Sequence, residues 1–210
     1  MHVTVIAKAP VPGSVKTRLC PPCTAEQAAE VAVAALADTL AALDGVAHRT
    51  GARRVLLLDG EPQHWMPTDF AVVNQRGAGL GERLCNGFAD LGPGVIIGME
   101  TPAVAGALFD AIEAVEQGID VIGLATDGGY WMIGLAAVSV ALGTQVFDGI
   151  PMSSSNTALR QLRRLHSLGR SVRLLRMARD LDTYDDLLAA AARDEGRLSA
   201  TAKHVVASMG

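Results

Sequence analysis

Three cations stand close together in the segment AKAPVPGSVKTRL, residues 7–19: Lys8, Lys16 and Arg18, set around Pro10, Pro12 and Gly13. Lysine and arginine grip phosphate oxygens through charge-assisted hydrogen bonds. Prolines stiffen such a segment, and a glycine lets the backbone approach a ligand closely. A di- or triphosphate matches the set, although a solvated surface loop has the same composition. It is not a Walker A loop, because Ser14 and Val15 separate Gly13 from Lys16.

Four further stretches carry groups that could do chemistry. In NQRGAGLGERL, Gln75, Gly79 and Arg83 frame a glycine-rich helix entry that suits an anion or a base edge, or a plain cap with an exposed arginine. The glycines lack the G-x-G-x-x-G spacing of a dinucleotide site. In GMETP, Glu100 is a carboxylate placed to serve Mg²⁺ or Mn²⁺ bridging nucleotide phosphates, or to favour the start of a helix at Pro102. In ATDGGYWMIGL, Asp127 precedes Gly128, Gly129 and Tyr130, a tight turn that could hold a substrate hydroxyl or simply join two strands. In RDLDTYDDL, Asp180 and Asp182 precede a capping box of Thr183 and Asp186 and could complete a metal site or cap the helix.

The elements that must position these residues alternate. Short β-branched or leucine-rich runs at residues 3–6, 54–58, 71–74, 95–97 and 121–124 read as strands. Between them lie helical patterns. Thr24 and Gln27 make a capping box before an apolar stripe that Gly45 should stop; Leu80, Leu84, Phe88 and Leu91 precede Gly92; Val104 to Val115 precede Gly118. Residues 130–140 suggest one or two more strands, and 156–168 and 183–192 two more helices. The order predicts an α/β fold with a mostly parallel sheet and helices on both faces. Open sheets of this kind bind ligands at the carboxyl ends of their strands, which is where the first four of these stretches fall.

Composition narrows the classes. A chain of 210 residues suits one domain, here 1–197, with residues 198–210 as a weakly held C-terminal tail. A net charge of −4 gives no field for nucleic acid, so small molecules or proteins are the expected partners. No signal peptide and no run of about 18 uninterrupted apolar residues is evident, so no membrane span and a cytoplasmic location are expected. Cys20, Cys23 and Cys85 are too few and odd in number for a disulfide framework.

Taken in order, KAPVPGSVKTRL, QRGAGLGERL, IIGMETP, TDGGYWMIGL, VFDGIPMSSSNT and DLDTYDDL resemble the bacterial radical-SAM/selenodomain-associated transferases. These GT-A-like proteins belong to the nucleotide-diphospho-sugar transferase superfamily, and the likeness spans residues 3–188. It implies a Rossmann-like GT-A fold and transfer from a nucleotide-sugar or nucleoside triphosphate donor to a small-molecule acceptor. Glycosyl transfer is favoured; guanylyltransferase-like nucleotidyl transfer, or a non-catalytic nucleotide-binding protein, are the alternatives. It further implies that Lys8, Pro12, Gly13, Lys16, Arg18, Gln75, Gly79 and Arg83 bind the nucleotide. Glu100 and Asp182, with Asp180 in reserve, would hold Mg²⁺ or Mn²⁺; Lys16 and Asp127 would be catalytic, and Gly128, Gly129 and Tyr130 would line the acceptor pocket. Two positions depart from the family pattern: Glu100 replaces an aspartate, and Met152 a frequent tryptophan.

Overall fold

The structure, a computed structural model, describes residues 1–100, 105–193 and 195–209. The expected helix start at Pro102 lies outside the described residues. Seven strands form one sheet: β1 (His2–Lys8), β2 (Arg53–Asp59), β3 (Ala71–Asn74), β4 (Gly94–Gly98), β5 (Asp120–Ala125), β6 (Tyr130–Leu135) and β7 (Val172–Ala178), in the order β3-β2-β1-β4-β6-β5-β7. All neighbours run parallel except β6, which is antiparallel to both β4 and β5. The α/β expectation holds.

Both faces are covered. On one, α1 (Ala25–Thr50) and α3 (Ala105–Glu116) bury Val3, Val5, Leu56, Leu58, Val95 and Ile97. On the other, α2 (Leu80–Leu91), α4 (Val140–Phe147) and α5 (Thr157–Ser167) cover Ile96, Ile122 and Ile133. A smaller core lies outside α1, beneath α6 (Tyr184–Ala191) and α7 (Arg197–Ala207).

The capping box that starts α1 forms as the sequence suggests: the Gln27 amide donates to Thr24 Oγ1 at 3.2 Å, and the Thr24 amide to Gln27 Oε1 at 2.8 Å. Gly45 does not end the helix, which continues to Gly51, whose φ of +72° makes the cap. An interior glycine costs only about 1 kcal/mol, and beyond it Val46 and Ala47 are buried. Leu36, Leu40 and Leu43, each contributing about 1.5–3 kcal/mol by burial, hold α1 to the sheet. Among the described residues α1 alone is long and apolar enough to cross a membrane, yet it lies between the sheet and α7, with 61% of its most apolar window buried.

Three elements differ from expectation. The second half of residues 130–140 is not strand, because α4 begins at Val140. The strand β7 was not anticipated: its arginines mask the apolar alternation. Where a loose tail was expected, α7 buries Leu198, Ala202 and Val205, and Asp38 of α1 accepts from the amides of Arg197 and Leu198 at 3.1 and 2.9 Å.

Candidate functional site

The strand order reverses at β1, which has β2 on one side and β4 on the other, so the loops leaving β1 and β4 diverge and open a crevice. A cleft of about 290 Å³ lies there. Its polar lining is Lys8, Gln75, Glu100, Tyr130 and Asp180; its apolar walls include Leu80, Leu84, Trp131 and Met132. Because β6 runs antiparallel, Tyr130 at its start sits at the same end as Glu100, after the end of β4.

The loop after β1 and the loop after β7 are drawn together by the small outer core. Leu19, just past Lys16 and Arg18, and Leu181, between Asp180 and Asp182, are both buried in it. Lys16 takes a left-handed backbone conformation (φ 50°, ψ 33°), uncommon for a residue with a side chain, and its side chain is 3% exposed. Its ammonium lies 2.5 Å from Glu100 Oε2 and 3.5 Å from Asp182 Oδ1, and also donates to the Leu181 carbonyl. Arg18 donates to the other Asp182 oxygen at 2.9 Å. Four expected site residues thus meet, with Asp180 beside them.

Crowding of acids shows in their proton affinities. Burial, then the charges of Glu100, Asp127 and Asp182, push Asp180 up to about 7, against the pull of Lys16. Burial also raises Glu100, opposed by Lys16. The Tyr130 hydroxyl, donating to Gln161 Oε1 at 3.5 Å, is raised by burial and remains neutral.

Other expected residues are placed differently. Gln75 donates to the carbonyls of Ala7 and Leu57 at 2.7 and 2.9 Å and accepts from Arg83 at 3.0 Å, so its amide is committed to the strand ends. Arg83 pairs with Asp59 at 2.6 Å, a partner that the sequence reading passed over although it closes the run LLLD at the end of β2. Gly79 is the exposed N-cap of α2, and Pro12 and Gly13 lie in an exposed turn. Lys8 is exposed at the cleft and makes no ion pair among the described residues.

The turn after β5 is built for contact with the chain itself. Asp127 Oδ1 accepts from the Gly129 amide at 2.8 Å, and Gly128 O accepts from Ala158 N at 2.9 Å. Gly128 has φ +90°, and a Cβ there would lie 1.9 Å from the Ser155 carbonyl oxygen. Only glycine allows this approach. Asp127 remains exposed, with its second oxygen available to a ligand.

The expected divalent ion does not fit this site while the Lys16 ammonium stands between its acids. Among the described residues no group of three His, Cys, Asp or Glu side chains could hold a metal ion. The two acids assigned to the metal instead flank the Lys16 ammonium.

The single-domain mixed α/β fold matches that of a solved structure proposed to be a nucleotide-diphospho-sugar transferase. The crystal structure of a protein proposed to be such a transferase, from Desulfovibrio desulfuricans G20, superposes with a TM-score of 0.83 at 23% identity, covering 100% of this chain and 97% of that one. A homolog of Mycobacterium tuberculosis Rv0371c from Mycobacterium sp. strain JC1 matches with a TM-score of 0.50 at 17% identity, covering 96% and 98%. The chain belongs to the family described as uncharacterized protein conserved in bacteria (DUF2064), whose model matches residues 27–154. No curated protein matches.

Proposed function

We propose that the protein transfers a glycosyl group from a nucleotide-sugar donor to a small hydroxyl-bearing acceptor. The observation that carries this reading is convergence: the end of β1 and the segments after β4 and β7 bring Lys8, Glu100 and Asp180 to one cleft at the point where open sheets bind ligands, with Lys16 and Asp182 joined to it through Glu100. Lys8 meets the donor diphosphate and offsets the charge that grows on it as the glycosidic bond to phosphate breaks. Asp180, whose proton affinity lies near neutrality, suits a base that takes the acceptor hydroxyl's proton. Asp127 at the glycine turn orients the acceptor. Met152 packs behind the cleft, its sulfur 3.6 Å from the hydroxyl of Tyr130, which lines it.

A thermal-shift panel tests the reading with nucleoside di- and triphosphates and nucleotide sugars, each in chelator and in Mg²⁺ or Mn²⁺. Saturation at about 100 times Kd adds roughly 2.7 kcal/mol, or about 5–10 °C. A shift with nucleotide sugars and nucleoside diphosphates is expected, and Lys8→Ala should weaken that binding about tenfold. A response to nucleoside triphosphates alone would replace glycosyl with nucleotidyl transfer. No response to any nucleotide would sink both.

A further inference from the structure

We propose that the Lys16 ammonium is the resident cation of the acidic cluster, standing where this fold's divalent ion is expected, so that nucleotide binds without added metal. Only the last clause rests on the functional reading above.

The argument begins with the cost of the lysine. A side chain that is 3% exposed keeps its charge only if it is paired and its donors are met. An ammonium has three donors, and here it finds three oxygens: Glu100 Oε2, Asp182 Oδ1 and the Leu181 carbonyl. The inventory closes with none left over. The left-handed backbone at Lys16 starts the turn Thr17–Leu19, whose Leu19 is anchored in the outer core, so the stem that delivers this charge is held at its base.

Carboxylate and carbonyl oxygens are also the ligands that Mg²⁺ and Mn²⁺ take, at about 2.0–2.1 Å for Mg²⁺. A divalent ion bound to Glu100 and Asp182 would share those oxygens with an ammonium already 2.5 and 3.5 Å away. Two cations held on the same carboxylate oxygens would repel strongly in a partly buried site. Glu100 and Asp182 already have cationic partners in Lys16 and Arg18. Metal and Lys16 are therefore competitors for one position. The residues match a cation site already filled by the chain.

Electron paramagnetic resonance titration of Mn²⁺ into the full chain tests this without any need for activity. Wild type should show no stoichiometric site below about 1 mM, the weak end of carboxylate sites. Lys16→Met keeps the aliphatic stem and removes the charge; it should gain one site per chain, at least ~30-fold tighter than wild type. Adding Glu100→Gln to Lys16→Met should abolish the gained site. Lys16→Arg, which keeps the cation, should bind no more Mn²⁺ than wild type. A wild-type chain that binds one Mn²⁺ as tightly as Lys16→Met overturns the proposal, as does a folded Lys16→Met that binds none; the wild-type titration decides even if the variant fails to fold. For the last clause, the wild-type Kd for a nucleoside diphosphate in chelator should lie within about twofold of that in Mg²⁺, and a tenfold tightening by Mg²⁺ would refute it. If no nucleotide binds under either condition, the transferase reading fails while the Mn²⁺ result still decides the role of Lys16.

Discussion

The two ends of the sheet hold charge in opposite ways. At the amino end, buried polar groups are individually matched. The His2 ring lies 2.7 Å from Thr4 Oγ1 and 3.1 Å from the Gly92 carbonyl, and Asp120, 1% exposed, accepts from Arg170 at 2.6 Å and from the Ala136 amide at 2.9 Å. At the carboxyl end, Glu100, Asp180 and Asp182 crowd about Lys16, and Asp180 and Glu100 are both pushed up. The first end is organised for stability. The second holds acids whose proton affinities are raised by burial and by one another, as sites that bind or react commonly do.

Removing one carboxylate from each end should break the contrast if it is wrong. Asp120→Ala leaves Arg170 partly buried and unpaired, and should cost about 3–5 kcal/mol in urea unfolding at pH 7. A loss under 1 kcal/mol would mean that the amino end is not the stable one. Acid probes the same end through His2, which burial lowers from 6.5 to about 4. The fold favours the neutral ring, so its contribution is complete above pH 6.5 and drains away as pH falls towards 4, by about 3 kcal/mol. Unfolding followed from pH 7 to 4.5 should show this slope in wild type and a flatter one in His2→Gln.

The carboxyl end has its own structural point in Gly128. Gly128→Ala meets the Ser155 carbonyl in a backbone region alanine avoids, and should cost about 2 kcal/mol, read from the urea midpoint. The smallest effect has the opposite sign. Asp180 rises from 3.8 to about 7, so the fold gains stability as pH falls from 7 towards 3.8. Asp180→Asn removes that penalty but also alters the carboxyl's own contacts, so the net gain should be about 1 kcal/mol at pH 8 and vanish below pH 4, measured by thermal melts at both values. Destabilisation at pH 8 would show that Asp180 is as well matched as Asp120.

The sequence revealed the elements whose side chains follow one rule and hid those governed by two. Residues 3–6 and 95–97 are near-continuous β-branched runs because β1 and β4 are covered on both faces. In β7 only Leu175 is buried, and Arg173 and Arg176 interrupt the pattern of an edge strand. Gly45 misled because local propensity was outweighed by burial beyond it. At the site, the residue types after β1, β4 and β7 were legible, but the pairing of Lys16 with Glu100 and Asp182 joins loops far apart in sequence and follows only from the sheet order. The partners of Gln75 and Arg83 were hidden for the converse reason, since strand-end carbonyls and Asp59 are groups that no local spacing reveals.

The packing of α7 on α1 carries a consequence for synthesis. The outer face of α1, with Ala28, Val31 and Ala35, is covered by residues of α6 and α7, yet 146 residues, 51–196, separate the end of α1 from the start of α7. At about 5–20 residues per second, the emerging chain carries an uncovered apolar helix for roughly 7–30 s before its cover is made. During translation this is the face most open to a holding chaperone, and a chain released before α7 would keep it exposed.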